Sequence, residues 1–92
     1  MVSSLYEGRK KIMTVVAVFR SRAQALGYLS ALKNIGVVAS AVNTPKEANV
    51  GCGISVKLDV RFLPRAENVL KSGRYSSFSG WMKRIGYSYV YL

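Results

Sequence analysis

Nine consecutive residues alternate without a break: Ile54, Val56, Leu58, Val60 and Phe62 are apolar, and Ser55, Lys57, Asp59 and Arg61 between them are polar. A period of two is that of a β-strand whose successive side chains point to opposite faces. The pattern predicts a sheet with one covered face and one polar face. It also demands a partner layer, because an apolar sheet face is stable only when other elements lie on it.

The rest of the chain supplies that layer. Within Lys10 to Phe19, the run from Ile12 is β-branched and apolar on both faces, as expected of a central strand. Ser21 offers a hydroxyl to cap a helix. Ala25, Leu29 and Leu32 then form its apolar stripe, widened by Leu26, and Gly36 ends it. Val37 to Val42 reads as a second strand, and Pro45 with the glycines beyond it makes 44–53 a loop. Pro64 suits the first turn of a second helix with Ala66, Val69 and Leu70 on its apolar side, stopped by Gly73. In the stretch 75–85, Phe78, Trp81, Met82 and Ile85 fit helical spacing, but Gly80 and the serines weaken a helix. Strands are favoured there, with a turn over Lys83 to Gly86 and a strand over Tyr87 to Leu92. The order β-α-β-β-α-β predicts an α+β, ferredoxin-like sandwich: an antiparallel-type sheet, helices on one face, and an extra C-terminal strand allowed. Residues 1–9 read as a flexible leader and 10–92 as a single ferredoxin-like domain.

Fourteen Lys and Arg stand against four Asp and Glu, a net charge of +10. Such a field favours anionic partners, including weak nonspecific binding of nucleic acid. The cations are scattered, however, and each is first a solvated surface charge. There is no histidine and one cysteine, Cys52. That excludes an intrachain disulfide, a Cys-His hydrolase and a four-ligand metal site within one chain. No metal and no cofactor are expected, and the residues alone leave open whether the chain is an enzyme or a binding protein. A lone thiol suits a reducing compartment. Arg9-Lys10-Lys11 ahead of an apolar run imitates a secretory signal, but the run is short and Arg20 and Arg22 follow it. The expectation is a cytoplasmic protein without membrane association, since no apolar stretch approaches the ~20 residues of a membrane span.

Cys52 lies between Gly51 and Gly53 in the 44–53 loop. In the expected topology the first two strands run parallel, so this loop and the start of the first helix, Arg20-Ser21-Arg22, share one end of the sheet. A helix N-terminus, two guanidiniums and free backbone N–H groups would favour the thiolate, which is the nucleophilic form. Gly51 and Gly53 leave the backbone open to a bulky partner or an anion. Free cysteine is equally among the most often buried residue types, so the residues alone leave a packed, purely structural Cys52 open.

The ordered set Phe19, Ser21, Thr44-Pro45 and Cys52-Gly53, followed by the alternating strand, resembles a family of small bacterial and archaeal selenium/sulfur carrier-like proteins over roughly residues 10–71. The resemblance implies a chalcogen held on Cys52, as a persulfide or selenopersulfide, and protein partners that donate and accept it. Thiol exchange needs an accessible thiolate and no general base of its own. Two other readings stand beside it. One is a basic ferredoxin-like module for nucleic acid, although Ser55, Lys57, Asp59 and Arg61 place no aromatic where RNA-recognition sheets stack bases. The other is a small regulatory domain that binds an anionic metabolite or forms a homo-oligomer.

Overall fold

The computed structural model describes residues 13–50 and 53–92. The leader 1–9, Gly51 and Cys52 therefore lie outside the described residues.

Strand β1 (Thr14–Phe19) is followed by helix α1 (Arg22–Asn34) and β2 (Ala39–Asn43). Then come β3 (Ile54–Asp59), helix α2 (Leu63–Ser72), β4 (Phe78–Ile85) and β5 (Ser88–Tyr91). Each element begins and ends for a local reason. The Ser21 hydroxyl accepts a hydrogen bond from the Gln24 N–H at 3.2 Å, the capping interaction expected at α1. Gly36 takes φ +82° just past the helix. Pro64 sits in the first turn of α2, where its missing N–H is not needed. Gly86 opens the two-residue turn between Ile85 and Ser88 at φ +60°, the position that favours glycine in tight hairpins. Within the 75–85 stretch a strand forms over Phe78–Ile85, and the turn expected over Lys83 to Gly86 falls instead on Gly86 and Tyr87, because Lys83, Arg84 and Ile85 pair with the last strand.

The strands form one five-stranded sheet in the order β2-β3-β1-β4-β5, and every neighbouring pair is antiparallel. Because β1 and β2 are both antiparallel to β3, they run in the same direction. Phe19 and Asn43 therefore end at the same end of the sheet.

Both helices cover one face. Ala25, Tyr28 and Leu32 of α1 and Ala66 of α2 are buried with Val15, Ala17 and Phe19 of β1, Val56 and Leu58 of β3, and Trp81 of β4. The centre is aromatic: the Phe19 ring lies 5.3 Å from Tyr28 and 5.5 Å from Phe78, and Tyr28 lies 5.2 Å from Tyr75, all tilted or edge-on. The Tyr28 hydroxyl donates to the Ala66 carbonyl at 2.7 Å and so ties α1 to α2. Burial raises its pKa well above the usual tyrosine range, and Tyr75 and Glu67 add to the effect.

Three expectations need correction. The alternating strand stops at Asp59, because the Asp59 carboxylate accepts the Arg61 N–H at 3.0 Å and closes a 3-10 turn over Val60–Phe62. Val60 and Phe62 still pack on the helix-side core. In α1 the stripe turns toward Tyr28, which is fully buried, while Leu26 is 41% exposed. Finally, the second sheet face is not simply polar. Val16, Val18, Ala48 and Met82 form a separate buried cluster there, with Val42, Val50 and Tyr89 packed around it. Ser55 on that face is fully buried, whereas Lys57 is exposed.

Candidate functional site

The 44–53 loop is closed at its base by two bonds from one residue. The Thr44 N–H donates to the Gly53 carbonyl at 3.0 Å, and the Thr44 and Ser55 hydroxyls meet at 2.7 Å. These extend the β2–β3 ladder past its last pair, Asn43 with Ile54. Pro45 then turns the chain into a short 3-10 helix, Lys46–Ala48. Its carbonyl accepts the Ala48 N–H at 3.0 Å, and the Lys46 carbonyl accepts the Asn49 N–H at 3.1 Å. Asn49 ends the turn in the left-handed region at φ +54°, which asparagine tolerates better than most residues.

Instead of projecting from the sheet, this segment folds down on it. Ala48 is 7% exposed and sits over Val16, Val18 and Met82. Two contacts reach strand β5 on the far side. A Glu47 carboxylate oxygen accepts the Tyr89 N–H at 3.2 Å, and the Tyr91 hydroxyl donates to the Ala48 carbonyl at 3.4 Å.

The start of α1 is built by different bonds. The Arg20 N–H donates to the Ser77 carbonyl at 2.9 Å, and its guanidinium reaches the Ser79 hydroxyl at 3.4 Å. The Gln24 side-chain oxygen accepts from both the Ser77 N–H and its hydroxyl, at 2.9 and 2.8 Å. Arg22 is exposed.

The structure thus gathers Thr44, Pro45 and Gly53 into one loop base, and it puts Arg20, Ser21 and Arg22 at the same end of the sheet. It does not join the two groups directly. Among the described residues neither guanidinium bonds the loop, and the Ser21 oxygen is engaged in its cap. Gly51 and Cys52, the other two residues singled out, lie outside the described residues. Ser55, Glu47, Tyr89 and Tyr91 were missed. The available signal was the two-sided apolarity of β1, which requires a cover on both sides of the sheet.

A five-stranded antiparallel sheet with two helices on one face and the short turn Lys46–Ala48 on the other defines a small α+β protein. The sequence matches the family described as "Putative Se/S carrier protein-like" over residues 14–77. That span is well over half of the chain and includes position 52, and the chain belongs to this family. No curated protein and no solved structure matches the chain. Among the described residues, no helix is long and apolar enough to cross a membrane.

Proposed function

We propose that this protein carries sulfur or selenium on Cys52 between a donor protein and an acceptor protein, in the cytoplasm. Family membership over residues 14–77 is the observation that carries the reading. The loop base supports it, because Thr44 bonds Gly53 and Ser55 and so ties together the two chain segments that flank positions 51 and 52. We read the scaffold as ferredoxin-like, with β5 appended beside β4 as an additional edge strand.

In the proposed step, the Cys52 thiolate attacks the outer chalcogen of a persulfide or selenopersulfide on the donor. The bond from that atom to the donor's cysteine sulfur breaks as the bond to Cys52 forms, and the donor leaves as its thiolate. Cys52 then holds a terminal, negatively charged chalcogen. The exchange needs no external oxidant or reductant and no general base, in keeping with a chain that lacks histidine. The electropositive start of α1, with Arg20 and Arg22, would favour both the attacking thiolate and the charged product.

The nucleic-acid alternative loses ground on the second sheet face. RNA-recognition sheets present aromatics on an open face for bases to stack on. Here Ala48, Val50 and Tyr89 occupy part of that face.

Intact-mass spectrometry of the protein co-expressed with a cysteine desulfurase tests the reading. A single added sulfur is expected on the wild type, removed by excess thiol and absent from Cys52→Ser. Wild-type protein of unmodified mass, under conditions that load a control acceptor, would refute it.

A further inference from the structure

We propose that Glu47 and Tyr91 are positioning residues for the segment 46–50 that leads to Cys52, through which strand β5 straps that segment to the sheet. Three independent features of the fold converge on this. A loop of this length closed by Thr44 at its base has no need to fold back on the sheet, yet Ala48 is buried against Val16, Val18 and Met82. Glu47, one of four acidic residues in the chain, accepts the Tyr89 N–H of an edge strand. Edge-strand donors ordinarily face solvent or a foreign strand, so the carboxylate occupies a group that would otherwise stay open.

The third feature is Gly80. It adopts φ +149°, and a Cβ there would lie 3.0 Å from two ring carbons of Tyr91. A Cβ there would press on the Tyr91 ring that lies across β4 toward the Ala48 carbonyl, and the ring would have to give by a few tenths of an ångström. Glu47 and Ala48 thus hold β5 from the loop side, while Gly80 admits the ring from the sheet side. Gly80, Tyr89 and Tyr91 all lie beyond residue 77, where the family match ends. The strap thus joins the matched span, at Glu47 and Ala48, to the C-terminal hairpin beyond it. Its consequence for chalcogen transfer rests on the carrier reading; the strap itself does not.

The test compares Glu47→Ala, Glu47→Gln and Tyr91→Phe with the wild type by amide hydrogen exchange and by the rate of Cys52 alkylation with iodoacetamide. Exchange at the Ala48 and Asn49 amides is expected to rise about five-fold in Glu47→Ala, as for loss of one hydrogen bond of ordinary net strength, and measurably but by less in Tyr91→Phe, whose bond is long at 3.4 Å. Amides in β1 and β3 should not change. Glu47→Gln should stay near the wild type, because its amide oxygen can still accept the Tyr89 N–H. The alkylation rate should move in the two variants whose loop amides move, and in no other. Loop amides that do not respond, a rise spread evenly over the sheet, or an alkylation rate indifferent to loop exchange would each overturn the proposal. Failure of sulfur loading in the wild type would sink the carrier reading and leave both of these readouts intact.

Discussion

The two faces of the sheet are built on different plans. On one side, two helices bury large side chains, and Phe19, Tyr28, Tyr75, Phe78 and Trp81 form a linked group of rings. On the other side, one short turn lays Ala48 over three buried residues, Val16, Val18 and Met82, and one hydrogen bond each at Glu47 and Ala48, from Tyr89 and Tyr91, completes the attachment. Apolar area sets most of the stability of a fold. The helix side therefore holds the fold together, while the loop side sets the posture of the segment that leads to Cys52. The proposed carrier role calls for this separation, since a loop that meets a donor and an acceptor must do so without loosening the scaffold.

The sharpest way to break the comparison is to cut each face once. Leu58→Ala removes a core side chain that is 2% exposed beneath the helices. It should cost about 2–5 kcal/mol in denaturant unfolding. Ala48→Gly removes the small side chain that the loop lays on the sheet, and should cost about 1 kcal/mol. Equal losses would mean that the loop side carries as much of the fold as the helix side.

Tyr28 sharpens the comparison through pH. Its pKa in the folded protein is raised above its ordinary value of 10.0, with burial as the main cause. Above that pH the unfolded chain gives up the Tyr28 proton while the folded protein keeps it. The unfolded state then binds fewer protons, so this contribution to stability is complete below pH 10 and declines as pH rises. In Tyr28→Phe the alkaline loss should be shallower, at a cost near neutral pH of about 1 kcal/mol for the bond to Ala66. Urea titrations at neutral and alkaline pH give both values, and identical slopes against pH would contradict the assignment.

The smallest effect belongs to the start of α1. Replacing both Arg20 and Arg22 by Gln should slow Cys52 alkylation about two- to five-fold at low salt and less at high salt. That is the scale of exposed charges near a helix end. An unchanged rate would remove the guanidiniums from the account while leaving the loop contacts in place.

Much of this molecule was legible residue by residue. Ser21, Gly36 and Pro64 act within a turn or two of their own positions, so their roles survive without knowledge of the fold. The alternation from Ile54 predicted the faces of β3 correctly as far as Asp59, where a side-chain bond to Arg61 ended the strand. The hidden features depend on distant partners. Tyr28 is core because its hydroxyl finds a carbonyl at Ala66, 38 positions away. Ser55 is polar yet fully buried because Thr44 answers its hydroxyl and the loop lies above. The covered second face could have been inferred from β1. Val16 and Val18 point away from the helices, and a strand apolar on both sides needs two covers. At the candidate site the residue types and their order pointed to the family, while the bonds from the loop to β5 had no local signature.

Acceptance of a chalcogen by Cys52 from another protein can be tested in isolation. The most direct measurement uses two purified components, a cysteine desulfurase charged with radiolabelled sulfur and this protein, which excludes every other cellular source. Stoichiometric label is expected on the wild type, released by excess thiol, and none on Cys52→Ser of unchanged fold. Label absent from the wild type, or retained equally by Cys52→Ser, would contradict it.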